Sequence, residues 1–306
     1  MANLKSTPKP SFESECKGGA GLRPCHYPFL ESNPPTQIDW FESISENYMN
    51  SNGRPRRMLR FIREHYPLAL HGVSMSLASA EGLNKNYLQR LKNLIDELEP
   101  SIVSDHLCWT GNAHGKLHDL LPFPYTRESL DIVVNNLDQA QNFLQRRMVF
   151  ENVSTYMTFR ESEMTEWEFV LETARRSGAK ILLDINNIYV SAVNHRFDPY
   201  AYLDAIPAEL VGQIHLAGYS DMGDFLFDTH SKPVYADVWK LFSHYIKRAP
   251  DVPFMIEWDE DIPKFPRLEI EVVKAKKIWE QHHATRRLSK EIRSLRSAVE
   301  ERSRAC

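Results

Sequence analysis

Seven short apolar runs recur along the chain, and each ends on a residue able to bind a metal ion. Ile38 to Phe41 runs into Glu42, Leu68 to Leu70 into His71, and Ile102 to Asp105 into His106. Met148 to Phe150 runs into Glu151, Ile181 to Leu183 into Asp184, Val211 to Ile214 into His215, and Phe254 to Ile256 into Glu257. Successive tips lie 29 to 45 residues apart, the length of a strand plus a helix. Gly18 to Leu22 reads as an additional first strand. Between the runs, Leu88, Leu91, Leu94, Ile95 and Leu98 recur at helical spacing, with Pro100 as a stop. Further helices are expected over Arg127–Gln145, Glu166–Ser177 (Gly178 closing it), Pro199–Ile206 and Ala236–Lys247. Thr110–Tyr125 and Asp221–Lys232 read as loops. The pattern predicts an α/β protein, a single-domain (β/α)₈ TIM barrel over residues 18–283. Residues 1–17 would form a flexible arm, and residues 284–306 a polar C-terminal helix or tail. In such barrels the chemistry sits at the C-terminal ends of the strands, where these tips fall.

The bulk properties narrow the classes. The 306 residues are 42% hydrophobic and 25% charged, with mean hydropathy -0.45, an ordinary globular composition. A net charge of -4 argues against sequence-independent binding to nucleic acid. No apolar stretch is long enough for a membrane span, and the polar start lacks the apolar region of a secretory signal. Cys16, Cys25, Cys108 and Cys306 form neither a paired metal motif nor a disulfide framework, so a cytoplasmic location is expected.

Imidazoles and carboxylates without thiolates suit Fe, Mn or Zn. Several carboxylates together suggest more than one ion, since a Glu can bridge two. Asp228 and His230 lie two apart and face one way in extended chain. Asp184 and Asn187, three apart beyond a strand, could converge similarly. Each residue has a plainer reading. His71, His106 and His215 could hydrogen-bond a neighbour, Glu151 and Glu257 could form buried ion pairs, and Asp184 could cap a helix. Asp228 and His230 could be ordinary loop residues, and Glu42 could pair with Arg23. His118 could line the mouth or face solvent, and Cys108 reads as a small buried hydrophobe. His195 and the remaining histidines, His114 among them, read as surface or packing residues.

The segments LALHGVSMSL, SDHLCW, LLPFPYT, FENVS, LLDINNIYV, QIHLAGY, DTH and IEWDE resemble the multinuclear non-haem iron-dependent oxidative enzymes. The resemblance runs from about Gly19 to Gln281. It implies a barrel of the xylose-isomerase and endonuclease IV type holding two or three irons, a mixed-valent pair among them. By position, His71, His106 and Glu151 would hold one iron, and Glu151, Asp184, His215 and Glu257 a neighbour. Asn187, Asp228 and His230 would form a third site. The implied activity is dioxygen-dependent oxidation of cysteine residues in a ribosomally made precursor peptide. LLPFPYT and QIHLAGY resemble the branch linked to copper-binding peptides. The implied partners are that peptide and a small leader-recognition protein.

Other classes share parts of the pattern. Endonuclease IV barrels hold three zincs in a similar ligand order, but place a His where this chain has Asn187. Xylose-isomerase-like enzymes need a Lys near the metals, and the strand tips carry none. A non-enzymatic metal-binding scaffold is the third alternative.

Overall fold

The computed structural model describes residues 17–112 and 115–304 together with Pro10 and Phe12. His114, Cys16, Cys306 and most of the N-terminal arm lie outside these residues, as do the side chains of His118 and of 285–306. Eight parallel strands close into a barrel. In chain order they are β1 (Gly18–Gly21), β2 (Trp40–Ile44), β3 (Leu68–Gly72), β4 (Ile102–His106), β5 (Val149–Glu151), β6 (Lys180–Asp184), β7 (Val211–Leu216) and β8 (Phe254–Ile256). Each pairs with its sequence neighbours, and β1 closes on β8.

Helices cover the outside. Their local signals agree with their positions. Lys85–Leu98 starts at Asn84, whose side chain accepts from the backbone of Asn86 and Tyr87. Arg127–Leu144 and Glu166–Ser177 open with capping boxes at Thr126 and Thr165. Gly178, at φ 69°, ends the latter in the left-handed region. The first part of the long helix Phe265–Arg304 buries Leu268, Val272 and Ala275 against the barrel. Among the described residues no helix is long and apolar enough to cross a membrane.

The barrel floor is filled by Trp40, Ala69 and Met255, with Phe12 edge-on to Trp40 at 5.0 Å. Gly19 makes this possible, because a Cβ there would lie 2.3 Å from the indole of Trp40. Above the floor, the two-residue period of the strands aims every second side chain inward. Register then sets which tips meet: His106 lies beside Glu151, and Asp184 beside His215.

Three expectations need correction. The second strand is displaced, running Trp40–Ile44 rather than Ile38 to Phe41, so Glu42 sits inside β2 and not at its tip. A buried carboxylate is tolerated there because Gln213 donates to it (2.6 Å). The stretch 110–125 is largely an antiparallel ribbon, Trp109–Asn112 with Gly115–Leu121. A smaller ribbon, Ser220–Asp221 with Leu226–Phe227, interrupts the loop 221–232. Both ribbons rise over the C-terminal mouth. Polar turn residues hide their short period-two pattern.

Candidate metal centre

The strand tips converge on one buried cluster. Donor atoms of His71, His106 and Glu151 lie within 4.8 Å of one another, as do those of Glu151, Asp184, His215 and Glu257. Glu151 belongs to both groups. Its Oε2 is 3.0 Å from His71 Nε2 and 3.3 Å from His106 Nε2. Its Oε1 faces the other way, 3.8 Å from His215 Nδ1. A third group joins His230, Glu257 and Asp259.

The imidazoles are oriented from behind. His106 Nδ1 donates to Gly72 O (2.9 Å), since a carbonyl can only accept, which leaves Nε2 bare towards the cluster. His71 Nδ1 lies 2.8 Å from Ser104 Oγ, which itself donates to Leu70 O. His215 is turned round: its Nε2 is 3.1 Å from Glu42 Oε1, and its Nδ1 faces Glu257 Oε2 at 2.9 Å. Glu42 therefore pairs neither with Arg23 nor inside the donor groups. It holds His215 as an outer carboxylate does in metal sites.

Asp184 has two roles. Its Oδ1 accepts from Asn187 N (2.6 Å) and caps the helix Ile185–His195, while its Oδ2 points into the cluster without a hydrogen bond. Asn152 braces this turn, donating to Asp184 O and accepting from Asp184 N, both at 3.0 Å. Asn187 donates to Asn152 O (3.1 Å), and its Oδ1 is buried and unpartnered. Asp228 Oδ1 lies 2.7 Å from His230 Nε2 and accepts from Asn186 Nδ2 (2.8 Å). His230 sits at φ 45°, a strained conformation for a non-glycine residue.

The nine candidate ligands thus share one site, with a different third grouping. Asp259, not singled out in the sequence, approaches His230 Nδ1 at 3.3 Å and Glu257 shares that nitrogen at the same distance. Asp259 also pairs with the buried Arg23, which lies 3.8 Å from Glu257. Its position two residues beyond Glu257, on the same face of an extended chain, was the available signal. Cys108 is buried outside the described donor groups. His195 is half-buried, 2.9 Å from Thr155 Oγ1.

The electrostatics show what the cluster lacks. Burial lowers the His71 pKa, but the charges of Glu42 and Glu151 outweigh it and push it up to about 9. His215 is raised for the same reason by Glu42 and Glu257, and His230 by Asp228 and Glu257, in both cases against burial. Burial, with His71 adding to it, lowers His106. Burial raises Asp184 far above the usual carboxylate range. Burial also opposes the charge on Glu257, yet His215 and His230 hold it well below that range. Without a cation, these carboxylates rest on protonated imidazoles. Asp184 Oδ2 and Asn187 Oδ1 are buried without a hydrogen-bond partner, while Glu151 Oε2, His215 Nδ1 and His230 Nε2 face only the charged neighbours named above. Orphaned polar atoms converging in this way fit divalent cations, which would replace the protons.

A cavity of about 390 Å³ opens above the cluster. His71, His106, Asn187, His230 and Glu257 reach its floor, and Leu121, Pro122, Met157 and Phe227 form apolar walls.

Comparison with known proteins follows this geometry. The chain is 50% identical over 265 residues to a UPF0276 protein of Rhizorhabdus wittichii, covering 86% of this chain and 95% of that one. It is 50% identical over 262 residues to a UPF0276 protein of Caulobacter vibrioides, covering 85% and 93%. Among solved structures, endonuclease IV from Thermus thermophilus superposes with TM-score 0.55 at 14% identity, over 87% of this chain and 99% of that one. The 3-keto-D-glucoside 4-epimerase YcjR from E. coli gives 0.57 at 12%, over 86% and 100%. These two share the barrel and show the fold alone. The family model for the RiPP precursor modification enzyme MbnB/TglH/ChrH matches residues 17–280, and the chain belongs to that family.

Proposed function

We propose that this protein is an iron-dependent, dioxygen-using oxidase that modifies cysteine residues of a ribosomally synthesised precursor peptide. The observation that carries the reading is the Glu151 carboxylate, which turns one oxygen to His71 and His106 and the other towards His215. That arrangement suits a carboxylate shared by two ions. His71, His106 and Glu151 would hold one; Glu151, Asp184, His215 and Glu257 the second. A third would take His230 with Asp228 or Asp259, and Asn187 at its edge. Iron bound there would supply redox chemistry towards dioxygen and a Lewis-acidic hold on a thiolate.

The chain's own residues contribute geometry and dryness. Ser104, Gly72 and Glu42 fix the three imidazoles so that each presents a lone pair to the centre. Leu121, Pro122, Met157 and Phe227 give the space above it an apolar wall, against which a bound peptide would displace water. Tyr156 and Phe227, 5.3 Å apart and both exposed, extend this apolar wall to the rim. Such a mouth suits a peptide side chain entering from above. The reading includes a small leader-recognition partner beside the precursor peptide.

Elemental analysis with Mössbauer spectroscopy, on protein purified without added metal, tests the centre. Two or more irons per chain, some spin-coupled, and oxygen uptake with a cysteine-containing precursor peptide are expected. Zinc alone, retained after growth with iron, would overturn the oxidase reading.

A further inference from the structure

A second cavity, of about 230 Å³, lies beside the metal cavity and shares Pro122 and Met157 with it. Its walls are aromatic, with Phe123, Trp167 and Phe197 among them. Glu166 also lines it. Its carboxyl accepts from Tyr202 Oη (3.0 Å) and hydrogen-bonds Tyr125. Tyr202 is fully buried, and Tyr125, partly buried, lines the same cavity.

Among the described residues no cation acts on Glu166. Burial raises its pKa to about 7, and only the two phenols oppose that. Burial lowers the pKa of His195, on the same wall, and this imidazole already engages Thr155. The helix N-terminus at Thr165 offers partial positive charge but not a full counter-ion. A carboxylate offers about four acceptor positions, and the phenols use only two. An apolar, aromatic-walled cavity with an uncompensated carboxyl matches one ligand chemistry: an aliphatic stem ending in a guanidinium. The stem fills the cavity, the planar head stacks on the rings, and its N–H groups bond the free oxygen positions.

We infer that this cavity is a specificity subsite for an arginine side chain of the substrate peptide, neighbouring the residue presented to the metal centre. The inference rests on the family's action on precursor peptides and not on the identity of the metal. The shared wall at Pro122 and Met157 means that one extended segment can fill both cavities.

The test uses N-acetylarginine N-methylamide and the N-acetylnorleucine N-methylamide of similar stem. Binding is read from the ¹⁹F resonance of 5-fluorotryptophan at Trp167 in the full-length protein. The arginine probe is expected to shift that resonance and to bind roughly tenfold tighter than norleucine, the worth of a charged hydrogen bond in a desolvated site. Glu166→Gln, which keeps the volume and the contacts to the phenols, is expected to erase the difference while iron content stays unchanged. Equal binding of the two probes by the wild-type protein would overturn the assignment, as would an undisturbed Trp167 signal. The wild-type comparison decides the matter even if the variant folds poorly. Absence of iron would sink the oxidase reading and leave this result standing; equal probe binding would do the reverse.

Discussion

Glu42 offers the sharpest test of the metal centre, because it supplies no donor atom itself and acts through His215. Its Oε1 lies 3.1 Å from His215 Nε2, and its Oε2 accepts from Gln213 at 2.6 Å, so its position is fixed at both oxygens. With a cation in place of the Nδ1 proton, Glu42 would hold the remaining proton on Nε2, where Gln213 Nε2 also lies at 2.7 Å, and turn the Nδ1 lone pair towards the donor group of Glu151, Asp184 and Glu257. Losing such an outer partner typically weakens metal binding ten- to a hundredfold, about 1.4 to 2.7 kcal/mol. Glu42→Gln can still accept from Nε2 but loses the charge, and should fall near the tenfold end. Glu42→Ala loses orientation as well, and should fall near the hundredfold end. The assay is anaerobic competition for Fe(II) against a chelating dye. Glu172→Gln, at an exposed helix position, serves as the control for a lost charge. Unchanged affinity in both Glu42 variants would refute the assigned tautomer, and with it the role of His215 Nδ1.

Three further outcomes are expected. His106→Ala should lose one ion and abolish peptide oxidation while far-ultraviolet circular dichroism stays unchanged; full activity would refute ligation by His106. Gly72→Ala should cost roughly 1–3 kcal/mol and lower metal content, because its Cβ would lie 2.1 Å from Asp105 Oδ2 and 2.8 Å from Tyr87 Oη. Asp105 cannot yield easily, since it accepts from His106 N (2.9 Å) and Tyr87 Oη (3.0 Å), and a wild-type urea midpoint would contradict this. Glu166 sets a pH dependence: its carboxyl is raised from 4.5 to about 7 by burial, so the folded state binds the proton more tightly. Stability from this group is greatest below about pH 4.5 and declines as pH rises through 7. The cavity opens to solvent, so the loss is discounted to about 1–2 kcal/mol. In chelator, Glu166→Gln should therefore exceed the wild type in stability at pH 8 and match it near pH 4.5; parallel urea curves across that range would refute it.

The barrel was legible because six of its eight strands end on or next to a metal-binding residue, 31 to 45 residues apart, and period two does the rest. His71, His106, Glu151, Asp184, His215 and Glu257 are tips, so one rule found them all. What surrounds them was not legible, for two reasons. Supports come from neighbouring strands at distant sequence positions: Glu42 is 171 residues from the Gln213 that donates to it, and nothing local marks either. The strand shift in β2 also moved Glu42 from an apparent tip to the interior. Asp184 shows a different limit. The readings as cap and as ligand compete on paper, yet its two oxygens face opposite ways and serve both geometries.

The same contrast explains why the third donor group departs from expectation. Glu151, Asp184 and His215 are fully buried on adjacent strands, and changing their spacing would require unzipping the barrel. His230 and Asp228 ride on a loop, and Asp259 follows the tip of β8. The side chain of Asp259 is 36% exposed and already engaged by Arg23. His230 is held in a strained backbone conformation, with Asp259 N donating to its carbonyl at 2.8 Å. Asp228 and Asp259 meet opposite nitrogens of His230, Nε2 and Nδ1, so this loop-borne set offers two carboxylates where the inner groups are fixed by strand register. The loop-borne side is the one that borders the substrate cavity, with Asp228, His230 and Asp259 all on its lining. Under the proposed function, a peptide would meet strand-borne donors below it and loop-borne ones beside it, an arrangement suited to admitting a bulky substrate above ions held beneath.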